Sequence, residues 1–247
     1  RGPGGATCPG RFFLDSGRGL ATRSALLPEA RPAALTGNVE FDPACTACPR
    51  LAEFLVRGRA EHPGYHCAPV APFGEREIRL LVVGLAPGFH GANATGRPFT
   101  GDYAGVLLYE TLHAYGWSTG PVSKSRDDGL RLKGCRITNA VKCVPPENKP
   151  TPQEIRTCNR YLAAEVAGLA PGTVLLALGS IANQAVLRAC GLKASAAKFG
   201  HGAEFDLPRG LRLVDSYHCS RYNTNTGRLT APMFREVVAR ATALARP

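Results

Sequence analysis

No apolar run in this chain approaches the length of about 20 residues that a membrane-spanning helix needs, and no secretory leader is recognisable. The expectation is a soluble, cytoplasmic protein with no membrane partner. The common catalytic loops are missing too. No Lys-Ser or Lys-Thr follows a glycine as a P-loop requires, and G-x-G-x-x-G and H-E-x-x-H do not occur. Nucleotide-fold and zinc-protease readings therefore fall away. Acid is scarce: 19 Asp and Glu stand against 30 Lys and Arg, a formal charge of +11. Most of that excess is arginine, whose planar fork suits phosphates, so a polyanionic partner is favoured over a merely soluble basic protein. There is no internal repeat.

What is present is enough apolar sequence, 44% of 247 residues, to close the core of one large α/β domain or two small ones. Residues 1–40 are rich in Gly, Pro, Ala and Arg and read as a loosely attached extension, with at most one short helix near Thr22–Leu27. The ordered domain is expected over 41–247. Apolar runs at Ile78–Gly84, Cys135–Val141, Thr173–Gly179 and Leu211–Tyr217 look like strands buried on both faces. Helical patterns lie between them, at Tyr103–Tyr115, Pro152–Ala167 and Ile181–Ala189, and a last one closes the chain at Ala231–Leu244. Alternation of this kind implies an α/β fold: a three-layer α/β/α sandwich around a central four-stranded parallel sheet.

The segments "GLAPGFHG" (Gly84–Gly91) and "TGRPFTGD" (Thr95–Asp102) begin at the carboxyl end of the first strand, where open parallel sheets bind ligands. Their glycines let the backbone come close to something flat or tight, and Phe99 and Asp102 are the side chains offered to it. On these residues alone, a structural loop with Phe99 in the core fits equally well.

Nine cysteines sharpen the choice. Cys45 and Cys48 form C-x-x-C before the helical segment "PRLAEFLVRG"; Cys143 follows the second strand and Cys158 sits in the next helix. An odd count without a leader argues against a disulfide framework. Four thiolates so dispersed suit an iron–sulfur cluster first, then zinc, which more often uses two short paired knuckles, then unconnected buried cysteines.

At this point three segments carry a resemblance. "GLAPGFHGANATGRPFTGD", "ITNAVKCVPPENKPT" and "SYHCSRYNTNTGRLT", with the four cysteines, resemble the signatures of the iron–sulfur uracil-DNA glycosylases. The likeness is to family 5 of that superfamily, the type b enzymes, and runs from about Phe41 to Leu244. It implies the uracil-DNA glycosylase fold and a [4Fe–4S] cluster on Cys45, Cys48, Cys143 and Cys158. It also implies a monomeric, monofunctional enzyme that flips deaminated bases, chiefly uracil, from double- or single-stranded DNA and hydrolyses the N-glycosidic bond.

The resemblance distributes roles. Where sister families carry a polar residue after the first glycine of the first motif, this chain has Leu85 and Ala86, both inert, so the family looks to Asp102 and its companion Asn148. His218 matches the third-motif histidine that faces the leaving base. Asp102 also stands where an N-cap of the following helix would stand. Phe99 matches the stacking aromatic, amides near Gly88 can approach the base, and Asn139 sits where a related family reads uracil by donating to O4 and accepting from N3–H. Broad-specificity type b enzymes can have a small residue there, so Asn139 is a departure towards uracil. The loop Cys219–Arg228, with Ser220, Arg221, Tyr222 and Asn223, is expected to meet DNA from the minor-groove side, Cys219 replacing a common proline. Two other classes remain open on sequence: a redox protein using the cluster, and a non-catalytic nucleic-acid binder that kept the fold.

Overall fold

Four runs of apolar residues lie side by side as parallel strands, and every connection between them crosses over through a helix. The computed structural model describes residues 39–245, so the extension expected over 1–40, including its short helix, falls almost wholly outside the described residues. In chain order the elements are α1 (Pro49–Glu61), β1 (Phe73–Gly74), β2 (Leu80–Gly84), α2 (Ala92–Thr95), α3 (Tyr103–Ala114), β3 (Cys135–Asn139), α4 (Pro152–Ala167), β4 (Val174–Leu178), α5 (Ser180–Ala189), β5 (Glu204–Leu207), β6 (Leu211–Ser216), α6 (Arg221–Asn225) and α7 (Ala231–Ala245).

The sheet order is β1-β3-β2-β4-β6-β5. Its four central strands are parallel, as expected, but the sheet has six strands, because β1 and β5 add antiparallel edges. Neither edge was readable as a strand. β1 is two residues long, and β5, Glu-Phe-Asp-Leu, is half polar and joined to β6 by a tight turn with positive φ at Arg209 and Gly210. Side chains alternate across the central strands. Leu80, Val82, Ile137, Leu176 and Val214 face α3 and α7, whereas Leu81, Val83, Leu175, Ala177 and Leu213 face α4 and α5. Three layers follow directly.

β2 lies between β3 and β4, so the chain leaves it to one side and later returns on the other. That reversal opens a crevice at the carboxyl end of β2, the general binding place of open parallel sheets.

Local chemistry sets the helices that frame it. Thr151 and Glu154 form a complete capping box with Pro152 at the first position, which starts α4 where the sequence pattern puts it. Glu154 also takes two 2.8 Å hydrogen bonds from Arg50, tying α4 to α1. α3 begins at Asp102, whose Oδ1 accepts from the Gly105 N–H at 2.9 Å. Here the first turn of α3 touches the preceding loop: a Cβ on Gly105 would overlap the carbonyl oxygen of Phe99.

Gly-to-Ala inside a helix ordinarily stabilises by about 1 kcal/mol. Gly105→Ala is expected to do the reverse, costing at least about 2 kcal/mol through the clash, or about 4–8 °C in Tm for a domain of this size. An unchanged or raised Tm would contradict the packing described.

Candidate active site

Each central strand delivers something to the crevice at its carboxyl end. β2 ends in Gly84, whose register partner is Asn139 at the end of β3. A side chain at Gly84 would collide with the Asn139 amide oxygen and would lie 2.6 Å from the tip of the Phe99 ring. Gly84, Asn139 and Phe99 therefore meet in one place. Asn139 is 3% exposed, and its Oδ1 has no hydrogen-bond partner. A buried amide oxygen left unpaired costs on the order of 1–3 kcal/mol, so a ligand donor is the natural occupant of that position.

Phe99 is buried and has φ +55°, a left-handed value unusual for an aromatic residue. The turn is held from behind. The Tyr109 hydroxyl donates to Pro98 O at 2.8 Å, and Thr100 Oγ1 lies 2.7 Å from Ser123 Oγ. Arg97 Nε donates to Thr100 Oγ1 at 3.2 Å, while its guanidinium pairs with Asp128 at 2.6 Å. The ring of Phe99 stacks beside that of His218, with centroids 5.8 Å apart and planes 25° off parallel.

Asp102 caps α3 through Oδ1, as the N-cap reading expected. Its other oxygen faces the glycine loop: a Cβ on Gly91 would lie 2.7 Å from Oδ2, and one on Gly88 3.6 Å from it. Burial raises its carboxyl above the ordinary carboxylate value against the amides of Gly105 and Ala104. Burial pushes the imidazole of His218 down to about 4, so the ring is neutral at pH 7. Asn148 lies on a 3-10 turn (Pro146–Asn148), exposed, with φ +56° and no hydrogen bond from its side chain.

The expected DNA loop is largely helical, as α6, because Ser220 accepts from the Asn223 amide as an N-cap. Asn223 turns inward, its Nδ2 donating to His218 O at 2.8 Å. Tyr222 is 72% exposed, and Arg221 lies 5.2 Å above the Tyr103 ring.

Cys45, Cys48, Cys143 and Cys158 line one cavity of about 380 Å³, counting the part open to solvent, together with Leu51, Val141 and Tyr161. Burial and mutual repulsion push Cys143 up to about 12 and raise Cys48; burial raises Cys158. At Cys45 burial is outweighed by hydrogen bonds from Tyr161, Ala47 and Arg160, and its thiol is lowered. Among the described residues no three such side chains converge as ligands of a single ion. The four thiols surround a space rather than a point, which suits a polynuclear group better than zinc with its Zn–S distance of about 2.3 Å. The Lys142 amide donates to Cys158 Sγ at 3.2 Å and the Arg160 guanidinium to Cys45 Sγ at 3.3 Å.

Sequence reasoning missed several supporting groups. Lys142, buried between β3 and the cysteine cavity, bonds Glu165 at 2.8 Å as well as Thr138 Oγ1. Asp215, fully buried on β6, accepts from Asn183 Nδ2 at 3.0 Å; burial pushes it up to about 7. His201 stacks on Tyr217 at 4.9 Å and accepts its amide hydrogen, fixing the residue before His218. Nothing in a linear pattern marks these pairings: Thr138 apart, the partners lie 16 to 32 residues away in the chain.

Residues 71–242 match the family model described as the uracil DNA glycosylase superfamily. The chain is 51% identical to the type-5 uracil-DNA glycosylase of Thermus thermophilus over 207 residues, covering 82% of this chain and 94% of that protein. It is 44% identical to the type-5 enzyme of Pyrobaculum aerophilum, over 81% of this chain and 88% of the relative. With the type-4 uracil-DNA glycosylase of Thermotoga maritima it shares 33% over 71% of this chain and 76% of that protein. Similarity that spans both the crevice loops and the cysteine segments makes the chain a member of the uracil-DNA glycosylase superfamily.

Proposed function

We propose that the protein is a DNA repair glycosylase that releases uracil from DNA by hydrolysing its N-glycosidic bond. The observation that carries this reading is the buried, unpaired Oδ1 of Asn139 against Gly84 and the Phe99 ring. Uracil in its common form presents an N3–H donor beside the O4 acceptor. An amide that accepts from the first and donates to the second reads that edge. Cytosine offers a bare N3 acceptor and an amino donor, so both contacts become repulsive or unpaired.

Bond cleavage passes charge to two places. The C1′–N1 electron pair departs with the base, and the sugar becomes an oxocarbenium-like cation. Neutral His218 is suited to donate to the developing uracil anion, since a donor that need not give up its proton stabilises it without becoming acidic first. Asp102 Oδ2, directed at the Gly88–Gly91 loop, offers negative charge to the cation and can take the proton lost by the attacking water, whose oxygen bonds C1′. Asn148, with an uncommitted side chain, is available to orient that water. Phe99 and amides near Gly88 hold the extruded ring, while Ser220, Arg221, Tyr222 and Asn223 form the DNA-facing element, with Tyr222 free to fill the vacated stack.

The four-cysteine cavity fits a [4Fe–4S] cluster on Cys45, Cys48, Cys143 and Cys158. When bound, such a cluster supplies strong thiolate cross-links and, through reversible one-electron change, redox capacity. The role assigned to this one is to fasten α1 to the loop after β3 and to α4. Anaerobically purified protein is expected to be brown, with iron and acid-labile sulfide in equal amounts. Stoichiometric zinc without iron would contradict the assignment. Cys45→Ser should lose iron and lower Tm before any loss of chemistry per folded molecule is seen.

Asp102→Asn tests the chemistry separately from the cap, because asparagine caps helices about as well. Single-turnover release from a uracil-containing oligonucleotide, read by alkaline cleavage, should slow by about two to four orders of magnitude with Tm nearly unchanged. Release at the parent rate would remove Asp102 from the mechanism.

A further inference from the structure

Between α3 and β3 the chain makes a long excursion, residues 116–134, that lies in none of the three motif segments. Its stem is pinned near the start of β3 by a bridge between Ser118 and Leu132 and by reciprocal 2.9 Å hydrogen bonds, Thr119 N to Arg131 O and Lys133 N to Trp117 O. Its tip, residues 123–128, is fastened elsewhere. Asp128 accepts from the amides of Lys124 at 2.8 Å, Ser125 at 3.3 Å and Leu130 at 3.0 Å, closing the tip on itself. The same carboxylate pairs with buried Arg97, and Ser123 bonds Thr100. Arg97 and Thr100 flank Phe99. The tip is therefore clamped to the back of the turn that carries the base-stacking ring. Burial alone would raise the Asp128 carboxyl, but Arg97 and the three amides hold it well below the ordinary carboxylate range, so the clamp stays charged.

Two cations project from this fixed tip. Lys124 and Arg126 are both exposed, and among the described residues neither side chain has an ion-pair partner. Asp127 is the only acid of the tip not engaged in the clamp. Ordering a loop costs conformational entropy, and this one is ordered by polar bonds to the pocket wall while its positive charges are left free.

We propose that Lys124 and Arg126 bind backbone phosphates of the DNA strand bordering the extruded nucleotide, forming a second DNA contact that flanks the pocket apart from α6. This rests on the glycosylase reading above, which supplies the DNA. The contact reads no sequence. It sets the register of the strand against a pocket wall to which it is rigidly joined.

The test is Lys124→Ala/Arg126→Ala, measured by fluorescence anisotropy with undamaged duplex DNA from low to physiological salt. Each phosphate contact contributes about 0.9 to the slope of log affinity against log salt. The double variant should therefore show a slope shallower by about 2 and at least about tenfold weaker binding at low salt. Lys124→Glu/Arg126→Glu should bind more weakly still, with Tm unchanged in both. Single-turnover uracil release at saturating protein should stay within about twofold of the parent, because phosphate contacts act before the chemical step. An unmoved slope and affinity in both variants, or a large fall in the saturated rate, overturns the proposal. Parent protein that binds DNA but frees no uracil sinks the glycosylase reading and leaves this contact standing; parent activity with an unmoved slope sinks this contact alone.

Discussion

The pocket depends on one close approach: the backbone of Phe99 pressed against the first turn of α3, with no side chain at Gly105 to keep them apart. That contact turns Phe99 into a left-handed conformation and swings its ring towards Gly84. It also sets Asp102 directly at the start of α3, where a single carboxylate caps with Oδ1 and leaves Oδ2 facing Gly91. Glycines at 84, 91 and 105 are thus the spaces into which an amide, a carboxylate and a carbonyl fit. The strain of the turn is balanced by polar bonds behind it, from Tyr109, Thr100, Arg97 and Asp128.

A second constraint acts from the opposite side. The four cysteines, from the segment entering α1, the loop after β3 and α4, line one cavity, and the Arg50–Glu154 pair spans α1 and α4. Thiols so placed repel one another when ionised, and three of the four are raised. Their coexistence in a cavity lined by Leu51 and Val141 is understandable if a cationic group accepts their charge. Ala86 and Phe89 of the glycine loop pack on this cluster of side chains, so the cysteine region buttresses the loop that faces Asp102.

Much of this was legible in the chain. The four central strands follow from apolar runs ended by glycine or polar residues, and α4 begins and ends where Thr151–Glu154 and the apolar period put it. Asp102 as a cap was readable from its place before Tyr103. The edge strands were not, because two residues, or a half-polar run of four, carry no period of their own. α6 lies within the expected loop Cys219–Arg228: its polar sequence carries no apolar period, and the cap at Ser220 stabilises one turn. The buried pairs Lys142–Glu165 and Arg97–Asp128 escaped for a different reason. A single charged residue gives no sign of burial until its partner, far off in sequence, is brought to it.

The central claim is that Asn139, Gly84 and Phe99 form the uracil-reading pocket. A crystal structure of the protein with uracil bound tests it most directly. The base should lie against the Phe99 ring with its N3 nitrogen about 2.9 Å from Asn139 Oδ1. Uracil bound away from β2 and β3, or an Asn139 amide turned from the base, would contradict it.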